Sequence, residues 1–325
     1  MISSAQPERL RPPALRQGDT VGIVALASGF QRKDFEAGCD TLRQLGYQPF
    51  YLPSIFERDL YFAGSLERRI GELHEMFGRT EVRAILCARG GYGCNYLLPH
   101  LDLELIRANP KIFAGCSDVT TLLTYLCDRT GLVTFHAPMV AGDFSRPGGI
   151  DVGAWSAAVS SGKPYPRTFR RDEVQPLREG DAEGTLYGGC LSLLCASLGT
   201  SYEVRTEGKI LFLEDRGEKP YQVDRMLMQL KFAGKFEGVA GIIFGEMLDC
   251  GQRRAADETL HDLVVRILGE FKVPIAFGLK SGHVSRKSIT LPFGVNAMLR
   301  VGQNVALTID AAVQAGPASV RVSHS

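Results

Sequence analysis

A serine hydroxyl becomes a nucleophile only where a base can take its proton and fixed donors can absorb the charge that develops. One stretch of this sequence could offer both, Gly115-Cys116-Ser117-Asp118-Val119-Thr120. An apolar, strand-like run at 111–114 precedes it and a helical pattern at 118–128 follows. A serine at that corner exposes its hydroxyl at the positive end of a helix, beside backbone N–H groups that can hold an oxyanion. Ser is also among the best helix N-caps, and the segment is not a GxSxG elbow. On the hexapeptide alone the cap is the commoner explanation.

Three other loops carry groups that would complete such chemistry. Arg89-Gly90-Gly91-Tyr92-Gly93 follows a strand-like run at 82–88, and its glycines would let backbone N–H groups approach a ligand as an oxyanion hole or a phosphate cradle. It matches neither GxGxxG nor the P-loop pattern. Leu213-Glu214-Asp215-Arg216-Gly217-Glu218 ends another strand-like run, and a carboxylate there could hold an imidazole in one tautomer. Surface pairing with Arg216 or Lys219 is the bland alternative. Gly278-Leu279-Lys280-Ser281-Gly282-His283-Val284 presents a histidine among small residues, and His136, after the run 133–135, is a rival base. A Ser, an acid and a His in this chain order, each on a loop after a strand, form a joint case that none makes alone.

The elements that must position these loops read as an α/β protein. Strands are expected at 21–26, 48–52, 82–88, 111–114 and 133–136, with helices at 34–45, 66–77 and 118–128 between them. This alternation predicts a parallel, Rossmann-like sheet covered on both faces. Residues 141–183 are rich in Gly and Pro and read as a linker with one short helix near 151–159. Beyond it, strands at 185–187, 209–213, 239–244, 274–277, 288–291 and 305–309 alternate with helices at 191–197, 220–233 and 257–271, which predicts a mixed second domain. The expected division is 1–145, 146–183 and 184–325. Ligands in such sheets gather beyond the carboxyl ends of the strands, where all four loops lie.

Composition narrows the partners. The chain has 325 residues, with 37 Lys and Arg against 36 Asp and Glu. Near-neutrality gives no bulk attraction to nucleic acid or anionic lipid, so a peptide or small molecule is the better expectation. No apolar run approaches a membrane span, and the N-terminal stretch lacks the apolar core of a secretory signal. The eight cysteines form no CxxC pair and no zinc-spaced cluster. A cytoplasmic protein with free thiols, no metal and no cofactor is expected.

Together these segments resemble the LD-carboxypeptidase family of serine peptidases, the muramoyltetrapeptide carboxypeptidases. The likeness runs from Gly18-Asp19-Thr20-Val21-Gly22-Ile23-Val24 through Arg89–Gly93, Gly115–Thr120, His136-Ala137-Pro138-Met139 and Gly188-Gly189 to Leu213–Arg225 and Leu291-Pro292-Phe293-Gly294. It implies Ser117 as nucleophile on an N-terminal α/β domain, with Glu214 and His283 as acid and base on the C-terminal one. Backbone N–H groups of Gly90, Gly91 and Asp118 would be the oxyanion donors, His136 a structural or peripheral residue and Asp215 a supporting one. The implied reaction is removal of the terminal D-alanine from murein tetrapeptides in cell-wall recycling, by a site at the domain interface, commonly in a homodimer. An exopeptidase needs a cation for the substrate's free carboxylate, and Arg89 beside the glycine turn is the expected one. Three positions depart from the family pattern: Cys116 where an aromatic is usual, Cys190 where Gly-Gly-Asn-Leu is expected, and Val284 where Gly is frequent. Two alternatives remain, a related branch that cuts peptide–nucleotide antibiotics and a non-catalytic α/β protein binding a phosphorylated ligand. The first needs an aromatic ring against the nucleobase, and the single tryptophan, Trp155, lies in the linker.

Overall fold

A computed structural model of the protein describes residues 7–251 and 258–315. Five strands of the first half lie parallel: β1 (Thr20–Val24), β2 (Gln48–Phe50), β3 (Val82–Cys87), β4 (Ile112–Gly115) and β5 (Thr134–His136). Helices α1 (Arg32–Gln44), α2 (Leu66–Gly78), α3 (Leu103–Ala108) and α4 (Thr120–Thr130) connect or cover them. Strands β1 and β4 are buried on both faces, which is why they read as apolar runs rather than as alternation. The α1 side chains Phe35, Cys39 and Leu42 recur at helical spacing and bury together against this sheet. Ser65 caps α2 by accepting a hydrogen bond from the Arg68 N–H at 3.2 Å.

The stretch 146–183, read from sequence as a linker, holds the expected helix α5 (Val152–Ser160) and two strands besides, β6 (Tyr165–Phe169) and β7 (Gln175–Arg178). Tyr165 and Phe169 turn inward from β6 while Pro166 and Thr168 stay outside, an alternation that the prolines and charges disguise. Both belong to an eight-stranded sheet with β8 (Gly180–Cys190), β9 (Lys209–Glu214), β10 (Gly241–Gly245), β11 (Ile275–Leu279), β13 (Asn296–Val301) and β14 (Val305–Ile309). Strands β8 to β11 run parallel at its centre, and antiparallel strands flank them on both sides. Helices α6 (Leu191–Ala196), α7 (Pro220–Phe232) and α8 (Leu260–Leu268) pack on this half. Residue 257, the expected start of the last helix, lies outside the described residues. Thr259 begins α8 with a capping box closed by Asp262.

One strand crosses between the halves. The three residues of β12 (Leu291–Phe293) pair antiparallel with β5, Leu291 opposite His136 and Phe293 opposite Thr134. The first sheet thus has six strands in the order β12-β5-β4-β3-β1-β2. A single apolar cluster joins Val21, Phe113 and Phe135 of this sheet to Phe212, Ile243 and Ala276 of the other. The fold is therefore α/β, with an N-terminal sheet that is parallel but for β12 and a mixed C-terminal one. Among the described residues no helix is long and apolar enough to cross a membrane.

Candidate active site

Ser117 sits where β4 turns into α4, in a short 3₁₀ turn. Its φ is 61°, a left-handed conformation that costs a non-glycine residue on the order of 1–2 kcal/mol. The cap of this turn is Cys116, so Ser117 is not the N-cap that its hexapeptide allowed. Its hydroxyl makes no hydrogen bond with another described residue. The Gly90 backbone presses on it: a Cβ there would lie 2.6 Å from Ser117 Cβ, 2.8 Å from its Oγ and 3.5 Å from the Asp118 nitrogen. Only glycine leaves room for that approach.

The glycine turn is pinned from behind. Tyr92 N donates to Ser28 Oγ at 3.2 Å, and Ser28 N to Gly90 O at 3.3 Å. Arg69, buried, donates to Leu26 O at 2.9 Å and to Gly93 O at 3.1 Å. The Asp118 side chain accepts from Cys94 N at 2.8 Å. Burial pushes the Asp118 carboxyl up, against the opposing pull of these donors and of Arg69. Asp118 lies in the first turn, where its N–H has no intrahelical acceptor.

Glu214 and His283 come from the half of the chain that builds the second sheet. Glu214, the last residue of β9, is fully buried, and its Oε2 lies 2.9 Å from His283 Nδ1. The same oxygen accepts the His283 backbone N–H at 2.9 Å, so both ring and chain are fixed on one carboxylate. Gly282 makes this turn possible: its φ is +82°, and a Cβ would strike Glu214 Cδ at 2.6 Å and His136 Cε1 at 2.7 Å. Burial alone would push the Glu214 carboxyl up, but the imidazoles on either side outweigh it and hold it below the usual carboxylate range. For His283, burial pulls downward, yet the hydrogen bond and charge of Glu214, with the charge of Asp215, raise the ring above its ordinary value. With Nδ1 committed to Glu214, Nε2 is the nitrogen left for proton transfer.

His136, expected to be structural or peripheral, is fully buried. Ser281 donates its hydroxyl proton to Ile289 O at 3.0 Å, so His136 Nδ1, 2.9 Å from that oxygen, is the donor to it. The other nitrogen lies 3.6 Å from Glu214 Oε1, beyond hydrogen-bond reach, and both atoms are buried without a partner. Glu214 is thus flanked by two histidines, one lining the cleft and one in the core. Asp215 accepts the N–H groups of Ser192 and Arg216, each at 2.8 Å, and so holds the start of α6 near Glu214.

Ser117, Gly90, Gly91, Arg89 and His283 line one cavity of about 510 Å³ at the seam between the sheets. Arg89 donates to Gly29 O at 2.7 Å and keeps a face on the cavity. Two further cations that sequence reasoning did not single out share it: Arg146, paired with Asp143, and Arg216, 3.4 Å from Asp249. Arg146 lies in the glycine- and proline-rich stretch, where nothing in the spacing marks it. Trp155 is fully buried, edge-on to Phe144 with ring centroids 5.4 Å apart, and does not line the cavity. Among the described residues, one set of side chains could hold a metal ion: ligand atoms of Cys190, Glu214 and His283 lie within 4.8 Å of one another.

Residues 21–137 match the model of the LD-carboxypeptidase N-terminal domain, and 183–299 that of the LD-carboxypeptidase C-terminal domain. The chain belongs to the LD-carboxypeptidase family. It is 40% identical to the "Probable murein peptide carboxypeptidase" of Bacillus subtilis over 316 residues, 94% of this chain and 96% of that one. It is also 27% identical over 343 residues to the microcin C7 self-immunity protein MccF of Escherichia coli, covering 95% of this chain and 98% of that one. Among solved structures, muramoyltetrapeptide carboxypeptidase from Oxalobacter formigenes superposes with a TM-score of 0.81 at 28% identity, over 90% and 98% of the two chains. Membership in this family makes the protein a peptidase-type hydrolase.

Proposed function

We propose that the protein is a serine-type LD-carboxypeptidase that removes the terminal D-alanine from murein tetrapeptides through a Ser117–His283–Glu214 triad. The observation that carries this reading is that a strained serine and the exposed edge of a carboxylate-bound histidine open onto one cavity. In the reaction, Ser117 Oγ turns to His283 Nε2, gives up its proton and attacks the carbonyl of the L-configured centre. Backbone N–H groups of the Gly90–Gly91 turn and of Asp118 take the oxyanion, each such donor lowering the barrier by about 3 kcal/mol. Glu214 stabilises the imidazolium, which then protonates the departing amine of D-alanine. Water, deprotonated by the same ring, releases the acyl group. Arg89 receives the substrate's free carboxylate.

The same triad would serve the antibiotic-cleaving branch, but the buried Trp155 offers no ring to a nucleobase. Eight buried free thiols favour a reducing, cytoplasmic setting. A homodimer, implied by the family resemblance, belongs to this reading and is tested by sedimentation.

The test is incubation with purified muropeptides, and separately with an aminoacyl-nucleotide, followed by mass spectrometry. The tetrapeptide loses one alanine, and Ser117→Ala lowers that rate by about 10³-fold or more. A serine-directed phosphonate labels Ser117. Cleavage of the nucleotide conjugate alone would reassign the substrate, and undiminished turnover by Ser117→Ala would end the serine mechanism.

A further inference from the structure

The register of the second sheet brings a thiol to the acid. Strands β8 and β9 pair in parallel with Cys190 opposite Glu214, so neighbouring strand ends set both side chains on one face of the sheet. The loop after β11 then folds His283 back onto Glu214. Cys190 Sγ, a Glu214 oxygen and a His283 nitrogen come to lie within 4.8 Å of one another. Tetrahedral zinc with bonds of about 2.0–2.3 Å places its ligands roughly 3.3–3.7 Å apart, so small side-chain rotations would close the set.

We propose that Cys190, Glu214 and His283 form a zinc-binding site that inhibits the enzyme.

Three features favour it. Thiolate, imidazole and carboxylate are the ligand types that zinc accepts, and a thiolate with a carboxylate cancels the two charges of the ion. Glu214 keeps Oε1 buried without a hydrogen-bond partner, so it has ligand capacity to spare. His283 is the most exposed of the three and lines the cavity, which gives the ion a way in and leaves a fourth position for water. Without a metal the thiol stays protonated, held well above the usual thiol range by burial and then by the charges of Glu214 and Asp215. Its proton passes to solvent as sulfur takes the metal. Inhibition follows because the imidazole that would accept the Ser117 proton is taken up in coordination. That last step rests on the proposed triad, whereas binding itself does not.

Equilibrium dialysis against zinc chloride, with cobalt(II) as a spectroscopic probe, tests the site on the whole protein. One equivalent of metal is expected, with the near-ultraviolet sulfur-to-cobalt charge-transfer band of a thiolate ligand. Cys190→Asn, which supplies the residue expected in the family pattern, and the isosteric Cys190→Ser lose that band. Both weaken zinc binding by about a hundredfold or more, beyond the cost of losing an outer-shell partner. Both keep their metal-free turnover of tetrapeptide while escaping inhibition by zinc. Zinc affinity unchanged in Cys190→Ser, or no charge-transfer band in the wild type, overturns the proposal. Binding with the band but without inhibition overturns the inhibitory role and counts against His283 as the base of the reaction.

Discussion

Glu214 is the side chain around which the candidate site is arranged. It is buried, it holds His283 by ring and backbone, and it has a second histidine at its other oxygen. With neutral His283 as the proposed base, kcat/KM should climb with pH through the pKa of that ring. Burial alone would lower this pKa, and the Glu214 hydrogen bond and charge raise it past that effect. The acid limb is therefore expected above the ordinary imidazole value of about 6.5. In Glu214→Gln the burial stays and the charge goes, so the limb moves to lower pH while turnover drops by about 10⁴-fold. A wild-type limb below about 6.5 would contradict the assignment. If Arg89 binds the substrate carboxylate as proposed, Arg89→Ala should raise KM by about tenfold or more and narrow the preference for a free over an amidated carboxyl terminus. Equal KM values for both proteins would move that role to Arg146 or Arg216.

At the level of elements, two turns meet: the one after β3, which carries Gly90, and the one after β4, which carries Ser117. Gly90→Ala puts a methyl group against Ser117, the proposed nucleophile, and a displacement of about 1 Å at such a position costs about 100-fold in rate. The turn lies in the cavity wall, so circular dichroism and the melting temperature should change little while kcat falls. A Gly90→Ala enzyme of full activity would show that Ser117 does not work from this position. The strand-to-helix corners were legible in the sequence because each follows a short apolar run and opens a helical pattern, as around Ser117. The end of β9 at Glu214 was legible for the same reason. Membership of a sheet was not. The run Leu291-Pro292-Phe293 has the same appearance whether it continues the second sheet or returns to the first, and only pairing with β5 decides. Nor could spacing show that His136 and Cys190 would stand beside Glu214. Both contacts depend on strand register, β12 against β5 and β8 against β9, which is settled by packing between distant segments.

Across the whole molecule, the two sheets share a core cluster and a crossing strand. Local unfolding of either half would strip the other of apolar cover, so calorimetry should show one cooperative transition rather than two. A fragment ending at residue 145 would leave the edge of β5 unpaired and its apolar side chains in water, and is expected to be insoluble or unfolded. Two separate transitions, or a folded fragment, would show the halves to be autonomous. The return of β12 also limits how such a chain can be recombined. A chimera spliced from two parents near residue 150 would join the first parent's β5 to the second parent's β12, mismatching the seam that carries His136. Exchange between relatives should succeed only when residues 288–295 travel with the N-terminal half, as a graft of two pieces rather than one cut.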